Sequence, residues 1–269
     1  KWDAALRECA DRGFDRADDQ VVLDYGCGSG VAARRFVTHF GAGRLWLHDR
    51  SPHAMAFAQE SLAATAPSVS SGPLKDVRDA NPDVLLVSHV LGELDQAGED
   101  ELRALISRSK RVLIVEPGNR ALARRLSGLR DDLLDRFSVI APCPHQRTCP
   151  ALAAENDWCH FFATPPPEVF TDGFWARVAR ELSIDLRSLP YAFLAMARQD
   201  EATTAATLSG DVRLLGRAEI HKHFARVRSC SEAGLEQIEI PKRHEPQIWR
   251  ALKKRPEQVR EAQAERDRD

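Results

Sequence analysis

The chain of 269 residues has no long hydrophobic run. Its longest purely aliphatic stretches are Val84–Val87 and Val112–Val115, whereas a membrane-spanning helix needs about 20 apolar residues. Disorder along the whole chain is also excluded, because hydrophobic residues make up 43% of the sequence and can offset the entropy of folding. The sequence therefore predicts a globular protein without a membrane partner.

The chain also lacks a large net charge. Its 38 Lys and Arg nearly balance its 40 Asp and Glu, and the formal net charge of −2 says little about binding partners. The charge is uneven, however, because Asp211–Arg260 contains 12 Lys or Arg against 7 Asp or Glu. A basic C-terminal section of this kind is suited to contact phosphate.

The first residue is Lys1 instead of an initiator Met, and the sequence shows neither a signal peptide nor a transit segment. We therefore expect the native N-terminus to lie upstream of Lys1. The composition, rich in Arg and Ala, favours a bacterial cytoplasm. The mitochondrial matrix is the expected location if the protein is eukaryotic.

Short aliphatic segments alternate with helical patterns over the first two thirds of the chain. This alternation favours an α/β fold, in which a parallel sheet is covered by helices on both faces. The predicted strands are Gln20–Tyr25, Arg44–His48, Asp83–Ser88, Arg111–Glu116 and Tyr191–Ala197, and predicted helices include Ser51–Ala63 and Glu99–Ser107.

The predicted organisation has five parts. They are an N-terminal helix (1–19), an α/β domain (20–198) with a cysteine loop (141–162), a linker (199–211), a small basic β-containing extension (212–256) and a charged tail (257–269). Within the extension, Phe224–Ser229 and Leu235–Ile240 are expected to pair as a hairpin, because a short Gly-containing segment separates them.

A glycine-rich loop follows the first predicted strand and opens a helix. Its sequence, Asp24-Tyr25-Gly26-Cys27-Gly28-Ser29-Gly30, lacks the third glycine that a dinucleotide-binding G-x-G-x-x-G motif requires. The D-x-G-x-G-x-G pattern instead resembles motif I of class I S-adenosylmethionine-dependent methyltransferases. By that resemblance Asp24 anchors the loop, and Gly26, Gly28 and Gly30 let the methionine half of the cofactor approach the backbone.

Two further segments complete the predicted cofactor site. Asp49 ends the second strand, where a carboxylate can accept hydrogen bonds from both ribose hydroxyls of an adenosine. The alternative is that Asp49 only caps the turn before Ser51. Ser88 ends the next strand, and His89 and Glu93 are weak candidates for catalysis there, with packing beneath the loop as the alternative for His89.

Cys143, Cys149 and Cys159 lie within one predicted loop, and three thiolates need a fourth ligand to complete a metal site. Cys230 is the first candidate for that ligand, with His145 and His160 as alternatives. The spacing matches neither the C-x₂-C of zinc ribbons nor the C-x₂-C-x₂-C of bacterial ferredoxins, so it does not identify the metal.

Together these patterns resemble the Rsm22 family of methyltransferase-like proteins of small ribosomal subunit assembly. The resemblance rests on C-P-H-x₃-C-P from Cys143, W-C-H-F from Trp158, the lone Cys230, Val115–Gly118 and Ser88–Leu94. It covers about Val21 to Lys254. It implies a class I methyltransferase (Rossmann-like) fold, S-adenosylmethionine as cofactor, and association with the small ribosomal subunit and its rRNA.

The same resemblance implies a 4Fe–4S cluster, with zinc as the alternative metal. Its ligands on this sequence would be Cys143, Cys149, Cys159 and Cys230. Such a cluster would join the C-terminal extension to the main domain and bring basic residues towards the cofactor as a phosphate-binding surface. These residues are Arg226, Arg228, Lys242 and Arg243, and an ordinary solvated face is the alternative.

Three functions remain open from the sequence. The first is an S-adenosylmethionine-binding, iron–sulfur-containing assembly factor that binds rRNA, with or without methylating it, and is a monomer off the ribosome. The second is a non-catalytic RNA-binding assembly factor. The third is a small-molecule methyltransferase with structural zinc. Phe224, Trp249 and Tyr191 could stack on bases, but core packing is the favoured interpretation for each.

Overall fold

The computed structural model describes residues 1–14, 18–65, 68–74, 81–200, 212–257 and 259. Most of the predicted linker (199–211) and of the predicted charged tail (257–269) therefore lies outside the described residues. Within the described ranges, no helix combines the length and the hydropathy that a membrane crossing requires.

In the described part of the chain, eight strands form one mixed sheet. They are β1 (Val21–Tyr25), β2 (Arg44–His48), β3 (Val69–Ser71), β4 (Val84–Ser88), β5 (Arg111–Pro117), β6 (Phe137–Ala141), β7 (Phe161–Ala163) and β8 (Leu189–Arg198). The order is β3-β2-β1-β4-β5-β8-β6, and β7 also pairs with β8. Strands β1 to β5 are parallel, whereas β8 runs antiparallel to β5, β6 and β7.

Helices cover both faces of this sheet. On one face, α1 (Trp2–Asp11), α2 (Val31–Phe40) and α3 (Pro52–Leu62) bury their apolar sides. On the other, α4 (Gln96–Arg108) and α5 (Arg120–Leu133) do the same. The short helices α6 (Glu168–Thr171) and α7 (Gly173–Glu181) bury none of their residues. The predicted α/β fold with helices on both faces is confirmed, and the sheet, predicted as parallel, is mostly parallel because β8 runs antiparallel to its neighbours.

The helix starts follow ordinary capping chemistry. Ser51, predicted to begin α3, accepts a hydrogen bond at Oγ from the Ala54 N–H (3.2 Å). Asp95 and Asn119 cap α4 and α5 in the same way. These caps fix the N-terminal ends of the three helices near the edge of the sheet that carries the candidate site.

The C-terminal extension is a separate layer. Within the described residues, β9 (Arg213–Ile220), β10 (Phe224–Ser231) and β11 (Gly234–Pro241) form an antiparallel sheet on which α8 (Pro246–Lys254) packs. The β10–β11 pairing confirms the predicted hairpin. Strand β9 and helix α8 were not predicted, and neither were β3, β6, β7, α6 and α7.

Candidate functional site

A cavity of about 330 Å³ opens at the carboxyl ends of β1, β2 and β4. This edge of a parallel sheet is where α/β proteins commonly bind ligands. The cavity brings together six of the residues singled out from the sequence. They are Gly26, Gly28, Asp49, Ser88, His89 and Glu93. Asp24 and Gly30 lie behind this lining.

The three loop glycines have different structural roles, although each has a positive φ. A Cβ on Gly26 would lie 2.5 Å from Val90 Cγ2, and one on Gly30 would lie 2.9 Å from Ala58 Cβ. A Cβ on Gly28 would meet no described atom within 4 Å. Gly26 and Gly30 therefore allow close packing, whereas Gly28 presents bare backbone to the cavity.

Two carboxylates hold the loop. Asp49 accepts hydrogen bonds from the Gly28 N–H at Oδ2 and from the Ser51 N–H at Oδ1, both at 2.8 Å. Asp24 is fully buried and accepts one from the Ala33 N–H at Oδ2 (3.1 Å). Its Oδ1 has no hydrogen-bond partner among the described residues, and burial raises the pKa of Asp24 to about 7.

The opposite rim of the cavity follows β4. The Ser88 hydroxyl accepts a hydrogen bond from the Trp2 indole N–H (2.9 Å), and the Tyr25 hydroxyl donates one to Glu101 (3.1 Å). His89 is exposed and has a left-handed backbone (φ 58°), which is uncommon outside glycine. Glu93 is exposed on the same rim.

Glu116 is a contributor that the sequence analysis did not single out as a site residue. It is the penultimate residue of β5 and is fully buried. Its Oε1 accepts hydrogen bonds from the N–H groups of Val90 (2.9 Å) and Leu91 (3.0 Å). The rim loop is therefore fixed from beneath. The available signal was an acidic residue at the end of an otherwise apolar strand, where a buried carboxylate needs hydrogen-bond donors.

A second, small cavity collects the predicted metal ligands. It is lined by Cys143, Cys149, Cys159 and Cys230, together with His145. All six cysteines lie within the described ranges and are free thiols. Among the described residues, however, no group of three or more His, Cys, Asp or Glu is arranged to hold a metal ion. The structure therefore brings the predicted cysteines together but does not support a formed metal-binding loop.

The two histidines that were alternative ligands separate. His145 lies within the cysteine cavity, with Nε2 at 3.6 Å from Cys230 Sγ. His160 instead stacks on Trp158 and lines a different cavity. Of the two, His145 alone is placed beside the cysteines.

Cationic side chains surround the cysteine cavity. Arg130 Nε donates a hydrogen bond to Cys143 Sγ (3.2 Å), and Arg12 donates one to the Cys143 carbonyl (3.2 Å). Arg213, on β9, donates to the Pro142 carbonyl (3.2 Å) and pairs with Glu8 of α1 at 2.6 Å. These contacts join α1, the cysteine loop and the extension.

The cysteine thiols are disfavoured as free anions. Burial, reinforced by the neighbouring thiolates, raises the pKa of Cys230 to about 12 and that of Cys159 well above its usual range. The arginines therefore face cysteine sulfurs that become anionic only when further positive charge stabilises them.

The four predicted RNA-binding residues fall into two groups. Arg226 and Arg228 lie on β10 and are ion-paired: Arg226 with Glu239 (3.1 Å), and Arg228 with Asp157 (2.7 Å). Lys242 and Arg243 lie in the turn after β11, which the Lys242 N–H joins to the β9–β10 turn through the His223 carbonyl (2.9 Å). These two turns form a basic tip, made of exposed Lys222, His223, Lys242, Arg243 and His244.

The three aromatic residues considered for base stacking are packed within the protein. Tyr191 is fully buried in the main core, and Trp249 is buried beneath β9–β11. Phe224 is half-buried and stacks on His221, with 4.4 Å between ring centroids. The favoured interpretation of core packing is confirmed for Tyr191 and Trp249.

Residues 3–256 match the sequence model of a family described as mitochondrial small ribosomal subunit Rsm22. No curated protein sequence matches the chain.

Several solved structures are similar to the chain at low identity. A Thermoplasma acidophilum protein is 15% identical, with 73% of this chain and 87% of that chain covered and a TM-score of 0.47. A putative RNA methyltransferase from Pyrococcus horikoshii is 13% identical (72% and 80% covered, TM-score 0.48), and an rRNA methylase from Streptococcus thermophilus is 10% identical (72% and 94% covered, TM-score 0.43). The strand order of this chain itself shows its α/β fold.

Proposed function

This chain belongs to the Rsm22 family, and from that premise we propose that it is an S-adenosylmethionine-binding, iron–sulfur-containing, methyltransferase-like factor that binds rRNA during assembly of the small ribosomal subunit. It acts as a monomer off the ribosome, in the bacterial cytoplasm or, in a eukaryote, the mitochondrial matrix. The observation that carries the proposal is the cavity at the strand ends, where bare Gly28 backbone lies beside Asp49. The sheet order, with one antiparallel strand next to the edge, is typical of class I methyltransferases.

The residues of the cavity fit this cofactor. Gly28 leaves room for the methionine half, and each Asp49 oxygen retains a lone pair for a ribose hydroxyl. Asp24 holds the start of α2 through Ala33 and so keeps the loop in place. When bound, S-adenosylmethionine would supply an electrophilic methyl group. Ser88, His89 and Glu93 line the rim of the same cavity.

The cysteine cavity fits a 4Fe–4S cluster in its donor chemistry. Four cysteines line it, and Arg130 and Arg213 offset the negative charge that bound thiolates would carry. A cluster there would supply a covalent joint between the cysteine loop and Cys230 on β10.

An absorbance spectrum of anaerobically purified protein, with iron, sulfide and zinc assayed on the same sample, tests this part. We expect a broad band near ~400 nm and about four iron atoms per chain. One zinc and no iron would reject the cluster and favour the zinc alternative.

The basic tip supports rRNA binding. Its Lys242 and Arg243 are exposed, and the ammonium of Lys242 lies over the Trp249 ring at 4.4 Å from its centroid. We place the phosphate contacts there, extended along β10 by Arg226 and Arg228. Binding of precursor small-subunit rRNA should weaken steeply with salt, and a Lys242→Glu, Arg243→Glu double variant should lower the affinity.

A matched control comes from the opposite layer. Arg103 and Lys110 lie on the α4 side, each in a surface ion pair. Charge reversal of both changes the net charge of the protein by as much as charge reversal of Lys242 and Arg243. If the control pair weakens RNA binding as much as the tip pair does, the tip is not the interface.

Catalytic activity distinguishes a methyltransferase from the alternative, a non-catalytic assembly factor. One observation favours the alternative: the hydroxyls of Tyr25 and Ser88 are already engaged within the protein, and His89 and Glu93 sit exposed on the rim. Radiolabelled methyl transfer to precursor small-subunit rRNA decides between them. Label in RNA, lost in a His89→Ala or Glu93→Gln variant, identifies an enzyme, whereas cofactor binding without transfer identifies the non-catalytic factor.

A further inference from the structure

A third cavity, of about 350 Å³, lies between the cysteine-loop segment 156–160 and the extension sheet. Of its lining residues, the functions proposed above use Arg228 alone. Its walls carry aromatic, cationic and amide groups together with the carboxylate of Asp157, and we call it the interlayer cavity. The lining includes Asn156, Trp158, His160, Gly216, Arg217 and Arg228. Its volume lies within the range of small-molecule pockets, about 300–1,000 Å³.

The aromatic wall is well ordered by its neighbours. Trp158 and His160 stack with 4.9 Å between centroids and 16° between planes. The Trp158 indole N–H donates to the Gly118 carbonyl (3.1 Å), and the His160 carbonyl accepts from the Gly216 N–H (3.0 Å). These contacts fix the two rings against both layers, so the wall exists before a ligand enters.

The cavity shares its chain segment with the cysteine cavity. Side chains alternate along an extended chain, so Trp158 and His160 reach the interlayer cavity while Cys159, between them, reaches the other side. Leu215 and Leu235 line both cavities. The segment therefore presents sulfur to one cavity and aromatic rings to the other.

Two cations stand at the cavity. Arg217 is exposed, with its guanidinium 5.4 Å from the Phe162 centroid, and Arg228 is exposed and 2.7 Å from Asp157. Asn156 accepts at Oδ1 from Arg120 (2.9 Å), which leaves its amide hydrogens to donate. Flat rings, an amide donor and two guanidinium groups are the features that recognise an unstacked base and its phosphate.

We propose that the interlayer cavity binds one unstacked nucleobase of single-stranded RNA, with the adjoining phosphate on Arg217 and Arg228. The proposal rests on the rRNA binding proposed above and adds to it a contact with a base. The basic tip holds the backbone at one end of the extension, and the interlayer cavity takes a base at the side that faces the cysteine loop.

The test compares two single-stranded decamers of equal charge, oligoadenylate and the same backbone with abasic sites, by fluorescence anisotropy with the full chain. We expect the abasic strand to bind about tenfold more weakly, in line with the loss of one stacked base. The cavity-filling Leu235→Trp should remove this difference, and so should His160→Ala, which deletes one ring of the aromatic wall. Arg217→Ala removes a phosphate contact and should weaken the binding of both strands alike. Arg103→Ala, which removes an exposed arginine far from the cavity lining, should retain the difference.

The outcomes separate this inference from the proposed function. Equal affinity for the two strands, with strong and salt-sensitive binding of both, overturns the base site and leaves the rRNA function standing. No binding of either strand contradicts the rRNA function as well. Thermal unfolding of each variant shows whether a loss reflects misfolding, and His160→Ala, at a half-buried position, keeps the test valid if Leu235→Trp fails to fold.

Discussion

At the scale of single residues, Asp24 and Gly28 of the glycine loop have different roles. Asp24 is buried and supports the loop with one oxygen, while its other oxygen has no partner among the described residues. Gly28 lies at the surface of the cavity, where a side chain would project into space that a ligand needs. Stability should therefore respond to changes at Asp24, and cofactor affinity to changes at Gly28.

The pH dependence of stability should report on Asp24. Its pKa rises from 3.8 in the unfolded chain to about 7 in the folded protein. Its stabilising contribution is therefore fully present below about pH 4 and is lost as the pH rises through about 7. Asp24→Asn stays uncharged and should flatten this decline. Urea unfolding of ligand-free protein at several pH values measures it, with exposed Asp132→Asn as control, and parallel wild-type and Asp24→Asn profiles would contradict the expectation.

Gly28→Ala should cost about 1 kcal/mol of stability, because its φ of 50° disfavours a Cβ, and should weaken S-adenosylmethionine binding by about tenfold or more. Gly13→Ala is the matched control. Gly13 also has a positive φ (82°), and a Cβ there would meet no described atom within 4 Å, but it lies at the end of α1. Calorimetric titration distinguishes the two, and equal affinities would show that Gly28 does not face the cofactor.

At the scale of elements, the rim of the cofactor cavity is held by β5 as much as by β4. Glu116 on β5 binds the backbone of the loop after β4, and Arg125 on α5 binds the Leu91 carbonyl and Glu99. Burial raises the pKa of Glu116 above its usual value, and the N–H groups it accepts from oppose that rise. The rim is therefore a supported loop.

Glu116→Ala should destabilise the protein by about 2 kcal/mol, because two buried N–H groups lose their acceptor. Glu116→Gln keeps an acceptor oxygen at the same place and should retain most of the stability and the cofactor affinity. Chemical denaturation and cofactor titration of both variants measure this. A Gln variant as damaged as the Ala variant would show that charge, and not hydrogen bonding, holds the rim.

Cys230 should connect the extension to the main domain only when metal is bound. Cys230→Ser is expected to lower the iron content of anaerobic protein and to make β9–β11 exchange amide hydrogens faster. Cys27→Ser is the control, since Cys27 is a buried cysteine of the glycine loop and should leave the iron content unchanged. Unchanged iron in Cys230→Ser would remove Cys230 from the ligand set.

At the scale of the whole molecule, local sequence patterns predicted individual strands and helices, whereas the arrangement of these elements depends on long-range pairing. Strands β1, β2, β4 and β5 could be predicted because short, mainly apolar segments mark buried parallel strands. Strand β9 was not, since Gly216, Arg217 and Glu219 interrupt its apolar pattern. The basic tip depends on a hydrogen bond between Lys242 and His223, which no local sequence motif predicts.

The cysteine cavity likewise combines a local sequence pattern with a long-range contact. Cys143, Cys149 and Cys159 are close in sequence, but the approach of Cys230 depends on the register of β10 and on Arg213, which pairs with Glu8 of α1. Long-range contacts of this kind could not be predicted from spacing. The resemblance to a family indicated the grouping, and the structure supplied the arginines around it.

We propose above all that this protein binds the rRNA of the small ribosomal subunit. Ultraviolet crosslinking in living cells, followed by sequencing of the attached RNA, tests it most directly. We predict enrichment of precursor small-subunit rRNA, with single-stranded sites and loss of the signal in the Lys242→Glu, Arg243→Glu variant. Enrichment of other RNA, or of none above an untagged control, would contradict it.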